Sequence, residues 1–188
     1  MISDIQKKEL DCRSMEYMSD GDLERYFPNN PDTHPIMKYS ELADVTDIYN
    51  ILPKDGTFKI ILIESRQNVG HWTALCRTKD QIIYFDSYSN KPDGQLRYIT
   101  SFWRKMLGQD DTYLTKLLKN VKDREVVWSN NRFQSLKKGT GTCGRWCLLF
   151  LNMVLNFGYT IDEFEQFINH NCKELGLSKD QLVTLWIK

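Results

Sequence analysis

The chain has 188 residues, with 25 lysines and arginines against 25 aspartates and glutamates, and 41% of its residues are hydrophobic. A net charge of zero excludes a histone-like protein, which coats nucleic acid through its overall charge. A chain of this length buries roughly 70% of its extended surface, so a core can form without disulfide bonds. We therefore expect one domain over residues 1–188.

The cysteines and the first residues indicate the compartment. Five cysteines are an odd number for a disulfide framework, and the segment from Met1 to Arg13 is charged rather than apolar. We expect free thiols in a reducing compartment and no secretion. The longest apolar run, Trp146 to Leu151, has six residues, whereas a membrane span needs about 20. No membrane partner is expected.

Apolar spacing and turn residues divide the chain into predicted elements. Short β-branched or alternating runs between turn residues predict strands, whereas apolar residues three and four positions apart predict helices. Capping boxes, in which a hydroxyl residue precedes an acidic or amide residue by three positions, mark helix starts. The predicted elements are a helix that follows Ser19 and ends at Pro28, strands at 58–63, 71–77, 81–86 and 125–128, and helices at 95–107, 112–121, 143–157, 161–170 and 179–187.

The segment 143–157 differs from the other predicted helices. Its apolar side chains lie almost all the way round a helical wheel. Such a pattern is typical of a helix that is buried inside a domain. We therefore expect an α+β fold that is built around this helix.

A hairpin between the strands 71–77 and 81–86 has a consequence for two polar residues. If its turn is centred on Lys79 and Asp80, paired residue numbers sum to 159, and residue 88 lies opposite His71. Asp86 then lies on the same face as His71, on the diagonal, about 7–8 Å away between backbones. A carboxylate at that place can fix the histidine tautomer and stabilise the imidazolium, which is half of a catalytic acid–base unit.

Cys143 has the position that activates a thiol. It lies at the expected first turn of the buried helix, directly before Gly144. The positive end of the helix dipole and its free N–H groups lower the pKa of a cysteine from about 8.5 and favour the thiolate. Gly144 has no Cβ, so a substrate carbonyl could approach the backbone closely there.

These residues resemble the adenovirus protease (adenain) and the related proteases that remove SUMO and other ubiquitin-like proteins. In that family a Gly-His-Trp sequence is followed by an acid at the end of the next strand, a loop glutamine and a Cys-Gly pair that opens the central helix. The resemblance covers roughly residues 58–157. The corresponding residues here are Gly70-His71-Trp72, Asp86, Gln134 and Cys143-Gly144.

The resemblance implies a papain-like cysteine protease core with a mixed central sheet, and a cysteine endopeptidase that needs no metal or other cofactor for its chemistry. Trp72 would line a narrow substrate channel, and Cys147 would be a buried neighbour of the nucleophile. The implied catalytic roles are general base for His71, orienting acid for Asp86, oxyanion donor for Gln134 and nucleophile for Cys143.

The sequence departs from the adenoviral pattern in two places. Asp86 stands where adenoviral enzymes have Glu, as it does in the SUMO proteases. The eight residues between Gln134 and Cys143 form a longer segment than the resemblance predicts.

The resemblance and the compact length suggest a viral or virophage maturation protease of the mavirus-like kind. It would cleave capsid or other virion precursors at small Gly-containing sites, as a monomer, in the virion and in the reducing cytoplasm or nucleus of the infected cell. The alternatives are a deubiquitinating or deSUMOylating isopeptidase and a binding module that has kept the fold without activity.

The charges are unevenly distributed along the chain. Residues 1–57 hold six basic and twelve acidic side chains, whereas residues 97–138 hold ten basic and four acidic ones. Because adenoviral relatives are activated by DNA and by a short viral peptide, the resemblance makes both candidate activators. The basic segment 97–138 is the candidate DNA track.

Two other motif interpretations are weaker. Gly139, Gly141 and Gly144 match the dinucleotide fingerprint G-x-G-x-x-G, but no apolar strand precedes them and no β-strand follows the helix. A zinc site is the second alternative, but it has no Cys-x-x-Cys pair. Its ligands would be Cys143, Cys147, His170 and Cys172.

Overall fold

The computed structural model describes residues 2–27 and 35–188. Within these ranges the α-helices are α1 (Asp4–Arg13), α2 (Asp20–Tyr26), α3 (Ser101–Met106), α4 (Tyr113–Lys119), α5 (Cys143–Phe157), α6 (Ile161–Leu175) and α7 (Lys179–Trp186). The β-strands in the same ranges are β1 (Ile36–Lys38), β2 (Phe58–Arg66), β3 (Val69–Arg77), β4 (Gln81–Phe85) and β5 (Glu125–Trp128). Short 3₁₀ turns cover Tyr39–Asp44, Ile48–Asn50 and Gly94–Tyr98.

The strands form one mixed sheet in the order β1-β2-β3-β4-β5. The outer pairs β1/β2 and β4/β5 are parallel, and the inner pairs β2/β3 and β3/β4 are antiparallel. Successive residues of β2 face opposite sides, so Ile60 and Leu62 belong to the core around α5, and Ile61 and Ile63 belong to the core that includes Leu114 of α4. Both faces of the sheet are therefore covered, which confirms the α+β class.

The predicted hairpin between β3 and β4 has the predicted register. Ala74 pairs with Phe85, and Arg77 pairs with Ile82, so paired numbers sum to 159. The Thr78 N–H donates to the Gln81 carbonyl and closes the turn. The start of β3 and the end of β4 consequently lie together at one end of the sheet.

Helix α5 has the predicted bounds and the predicted burial. Eleven of its fifteen residues are buried, from Cys143 to Val154, and the helix packs against the sheet on one side and against α6 and α7 on another. Gly158 ends it in the left-handed conformation (φ 72°), which glycine adopts without steric cost. The helix start lies at the end of the sheet where β3 begins.

Several predicted elements differ in their bounds. The predicted helix 95–107 is interrupted, because Thr100 adopts an extended conformation (φ −60°, ψ 150°) and its side chain caps α3 at the Trp103 N–H. The predicted helix 161–170 continues to Leu175. Helix α2 begins after Ser19 as predicted, and Pro28, its predicted end, lies outside the described residues.

Helix α1 and strand β1 are observed elements that the apolar pattern of the sequence does not predict. Helix α1 has only one buried residue, Leu10, and its charged composition gives no apolar stripe. Strand β1 has only three residues. Over residues 2–27 and 35–188, no helix has both the length and the apolar character that are needed to cross a membrane.

Candidate active site

His71 and Asp86 form a buried hydrogen-bonded pair at the end of the sheet. The distance from His71 Nε2 to Asp86 Oδ1 is 2.8 Å, and both side chains are shielded from solvent. His71 is the third residue of β3, and Asp86 directly follows β4. The hairpin register thus brings the two side chains into contact across two adjacent strands, as the sequence predicts.

Other donors hold the Asp86 carboxylate in place. Its Oδ1 also accepts a hydrogen bond from the Tyr88 N–H (2.7 Å), and its Oδ2 accepts one from Asn90 Nδ2 (3.0 Å). Asn90 is itself buried and accepts a hydrogen bond from Arg97 Nη2 (3.1 Å). These bonds orient the carboxylate toward His71. The sequence analysis missed Tyr88 and Asn90, whose only signal was their closeness to Asp86.

Tyr88 also covers one face of the His71 ring. The two rings are stacked, with centroids 4.7 Å apart and an interplanar angle of 27°. Burial raises the pKa of Tyr88 to about 12, and nearby Cys143 adds to this shift. Tyr88 therefore acts as an uncharged wall that restricts the rotation of His71.

Cys143 is the first residue of α5, and its thiol lies close enough to His71 for each group to influence the pKa of the other. His71 acts on the Cys143 thiol through hydrogen bonding and charge, and the backbone N–H groups of Trp72 and Gly144 also act on the sulfur. Because Nε2 of His71 faces Asp86, Nδ1 is the ring nitrogen that remains for Cys143. The three predicted catalytic side chains Cys143, His71 and Asp86 are consequently arranged in series.

The surroundings of this series favour a charged pair. Burial would raise the pKa of the Cys143 thiol, but the hydrogen bond and charge of His71, with the N–H groups of Trp72 and Gly144, outweigh burial and lower it. Burial would lower the pKa of His71, but Asp86 and then Cys143 outweigh it and raise the pKa to about 10. The two shifts have the directions that favour a thiolate beside an imidazolium.

The start of α5 is left open by its preceding residue. The Thr142 hydroxyl donates to Asp180 Oδ1 (2.6 Å) instead of accepting from the first turn, and no side chain of the described residues caps this helix start. Uncapped N–H groups are free to meet an anion. The buried Asp180 also accepts from the Ser135 N–H (2.9 Å), so it connects α7 to both ends of the loop before Cys143.

Gln134 is buried in the loop that leads to Cys143. Its Oε1 accepts from the Ser87 hydroxyl (2.8 Å), and its Nε2 donates to the Thr140 carbonyl (3.1 Å). The Gln134 N–H also donates to the Ser87 carbonyl (3.0 Å), which ties Gln134 to the residue that follows Asp86. An amide nitrogen has two N–H donors, so the bond to Thr140 leaves one for a substrate oxygen.

Residues just before and within α2 pack over Trp72 and Gly144. The indole Nε1 of Trp72 donates to the Met18 carbonyl (3.3 Å), and the ring is almost fully buried. A Cβ on Gly144 would come within 3.2 Å of Met18 and of Leu23 and within 3.5 Å of Trp72. Packing against Met18 and Leu23 is thus a reason for glycine at this position, in addition to the predicted approach of a substrate.

The chain between α1 and α2 is tied to the start of α5 by its carbonyl groups. The Ser14 carbonyl accepts from the Gly141 N–H (2.8 Å), and the Glu16 carbonyl accepts from Arg145 Nη1 (2.7 Å). Arg145 is buried although it is charged, and it also donates to the Ile187 carbonyl (3.1 Å). This N-terminal segment therefore forms part of the wall of the site, which the sequence analysis did not predict.

The comparisons with known proteins identify a family. No family model matches the chain. The chain is 30% identical over 179 residues, which are 95% of this chain and 98% of the relative, to the uncharacterized protein V9 of Sputnik virophage. The chain belongs to the family of this virophage protein. For this member of the V9 family, the geometry of the candidate site provides the evidence on function.

Similar solved structures include three forms of the SUMO protease Ulp1. The form with its catalytic cysteine oxidized to a sulfenic acid has a TM-score of 0.42 and 10% identity, over 100% of this chain and 95% of that chain. The sulfinic acid form has a TM-score of 0.41 and 12% identity, over 98% of this chain and 96% of that chain. The central domain of an uncharacterized Legionella pneumophila protein, Lpg1148, has a TM-score of 0.35 and 15% identity, over 79% and 81%.

The remaining sequence motifs do not assemble into further sites in the V9-family chain. In the described ranges, no three histidine, cysteine, aspartate or glutamate side chains are close enough to hold a metal ion, and the zinc alternative lacks its cluster. The glycines of the G-x-G-x-x-G match follow an irregular loop, and α5 is followed by α6. The dinucleotide alternative therefore lacks both of its strands.

The cations of segment 97–138 are partly used within the protein. Lys116 pairs with Asp111, and Arg124 pairs with Asp55 (3.2 Å). Arg124 is also largely buried. At least two of the ten basic side chains are thus engaged by acids of the same chain, and DNA binding by this segment stays a prediction.

Proposed function

We propose that this chain is a cysteine peptidase or isopeptidase in which Cys143 is the nucleophile. The observation that carries the proposal is the series from Cys143 through His71 to Asp86, with the thiol at the open start of a buried helix. A lowered thiol pKa beside a raised histidine pKa provides a nucleophile and a proton donor in contact. Both are needed to break an amide bond.

The first step forms a thioester. The Cys143 thiolate attacks the scissile carbonyl carbon, and the π electrons of that carbonyl move to its oxygen. In this proposal, Gln134 Nε2–H and the backbone N–H of Cys143 donate to the oxyanion. His71 then gives its Nδ1 proton to the leaving nitrogen as the C–N bond breaks, and Asp86 stabilises the imidazolium until that transfer.

The second step releases the acyl group. Neutral His71 removes a proton from a water molecule, whose oxygen attacks the thioester carbonyl. Collapse of the second oxyanion breaks the C–S bond and restores the Cys143 thiolate and the His71 imidazolium. The reaction consumes one water molecule for each amide bond, and the residues named here carry every proton transfer in it.

The preferred substrate is a polypeptide with small residues, such as glycine, before the scissile bond. The burial of Cys143 and Trp72 supports this proposal, because Cys143 is only 4% exposed and bulky side chains beside it would collide with the walls. Membership in the V9 family supports a viral origin. We therefore propose virion precursors in the infected cell as substrates, in keeping with the resemblance to adenain and the SUMO proteases.

A cleavage assay with matched cysteine variants tests the proposed function. The substrates are a virion precursor of the source virus, a ubiquitin-like modifier with a C-terminal fluorophore after Gly-Gly, and a mixed peptide library, each with and without added DNA. We expect the wild type and Cys147→Ala to cleave at least one of them and Cys143→Ala to cleave none. Equal cleavage by Cys143→Ala would refute the role of Cys143.

The assay also separates the alternatives. Preference for the precursor supports a maturation protease, whereas preference for the modifier supports an isopeptidase. If the wild type cleaves no substrate and its Cys143 reacts as an ordinary thiol, the chain is a binding module on this fold. Stimulation by DNA that disappears as salt rises would support the basic segment 97–138 as an activator site.

A further inference from the structure

A cavity of about 280 Å³ adjoins the candidate active site at Tyr88. Tyr88, which stacks on His71, lines the cavity, as does Asn90, which binds Asp86. The cavity therefore shares two of its lining residues, Tyr88 and Asn90, with the surroundings of His71 and Asp86. It is a place for a substrate side chain.

The described lining of this cavity is cationic. It contains Arg97 and Arg132 and no acidic side chain. Arg97 is held by Asn90 Oδ1 (3.1 Å) and by the Tyr98 hydroxyl (2.7 Å), and its guanidinium lies 4.7 Å from the centre of the Tyr98 ring. These contacts fix its direction but do not neutralise its charge.

Arg132 adds a second guanidinium without an acidic partner. None of the ion pairs of residues 2–27 and 35–188 includes Arg97 or Arg132. The Arg132 carbonyl accepts from Lys179 Nζ (2.9 Å), which places a third cation beside the same loop. Arginine forks bind carboxylates with two parallel hydrogen bonds, so this lining matches an acidic ligand.

We infer that this cavity is a specificity subsite that binds an acidic side chain of the polypeptide substrate. The inference rests on the proposed function and names a substrate feature in addition to small residues at the scissile bond. Arg97 and Arg132 would bind the carboxylate, and the exposed surfaces of Tyr98 and Leu136 would contact the aliphatic part of the side chain. Glutamate fits this combination better than aspartate, because its stem is longer.

Substitution of Arg132 tests the subsite more selectively than substitution of Arg97 does. Arg97 also orients Asn90, which holds Asp86, so its substitution changes the catalytic residues as well as the subsite. Arg132 has no such connection in its side chain. Arg25, an exposed arginine of α2 that lines a different cavity, provides a matched control for the loss of one positive charge.

The test compares cleavage of matched peptides by wild type and variants. A peptide that the wild type cleaves in the library assay is resynthesised with Glu, Gln or Lys at each of four positions on both sides of the scissile bond. At one position we expect kcat/KM to be about two- to fivefold higher for Glu than for Gln. Arg132→Gln should remove most of this preference, Arg132→Glu should shift it toward Lys, and Arg25→Gln should leave it unchanged.

Two results would overturn the inference while leaving the proposed function intact. One is equal cleavage of Glu and Gln peptides at every position by the wild type. The other is an acidic preference that persists in Arg132→Gln and in Arg97→Gln. If the wild type cleaves no peptide and no protein substrate, the proposed function fails and the subsite fails with it.

Discussion

The first and second turns of α5 each hold a buried cysteine, but they treat the thiol in opposite ways. The pKa of Cys143 in the first turn is lowered, whereas burial raises the pKa of Cys147 well above its ordinary value. Cys76 in β3 behaves as Cys147 does, because burial raises its pKa to about 12. Burial is common to all three thiols, so the neighbours of Cys143 account for the difference.

Those neighbours exist only at the helix start. N–H groups in the first turn have no partner within the helix, whereas those further along bond to carbonyls one turn earlier. His71 and the Trp72 N–H reach Cys143 from β3, and Cys147 lies one turn too deep to meet them. The comparison shows that the end of the helix and one strand activate the thiol, and that the same helix keeps a second thiol inert.

The variant with the largest expected effect removes the partner that distinguishes the two turns. In His71→Ala, burial dominates at Cys143, its pKa rises as that of Cys147 does, and the proton donor for the leaving group is lost. We expect kcat to fall about 10²–10⁴-fold in a peptide cleavage assay. His170→Ala, on the exposed face of α6, should retain wild-type activity. Retention of activity by His71→Ala would show that Cys143 has another base.

Substitution of Gln134 distinguishes stabilisation of the oxyanion from activation of the Cys143 thiol. Gln134→Ala should lower kcat about 10²–10³-fold, because one donor to the oxyanion is lost, but alkylation of Cys143 should keep its pH dependence. Gln109 is a matched control, since it is a buried glutamine whose side-chain amide bonds to the backbone of Glu64. Gln109→Ala should lower the midpoint of thermal unfolding and leave kcat unchanged. An equal loss of kcat in both variants would mean that Gln134 acts only through stability.

Substitution of Asp180 should have a smaller effect on activity, through the loop before Cys143. It holds Thr142 and Ser135 at the two ends of the loop before Cys143, so Asp180→Asn should displace the oxyanion donor slightly. We expect kcat to fall by up to about tenfold with KM nearly unchanged, and the free energy of unfolding to fall by about 1–3 kcal/mol. Asp162→Asn in the exposed first turn of α6 is the control. Loss of stability without any change in kcat would limit Asp180 to a structural role.

The sequence predicts the parts of the site that depend on local pattern. The register of β3 and β4 follows from a short polar turn, and side-chain alternation then places His71 near Asp86. The bounds of α5 follow from its nearly continuous apolar character. Both patterns lie within about twenty residues, where spacing alone fixes the geometry.

The unpredicted parts come from segments that are far apart in sequence. Asp180 meets Thr142 across 38 positions, and the Glu16 carbonyl meets Arg145 across 129. No periodicity links such residues, so only packing in three dimensions brings them together. The interrupted helix at 95–107 has a different cause, because Thr100 prefers to cap the next helix, and its cap competes locally with helix continuation.

The central claim is tested most directly by the alkylation rate of each cysteine as a function of pH. Iodoacetamide labelling between pH 5 and pH 10, resolved by mass spectrometry of peptides, reports the exposed Cys12 as a reference and the buried Cys143, Cys147 and Cys76. We predict that the labelling rate of Cys143 reaches its plateau at a lower pH than that of an ordinary thiol, whose pKa is about 8.5. Cys147 and Cys76 should stay unlabelled in the folded protein. A Cys143 profile with the midpoint of an ordinary thiol would contradict the thiolate–imidazolium pair.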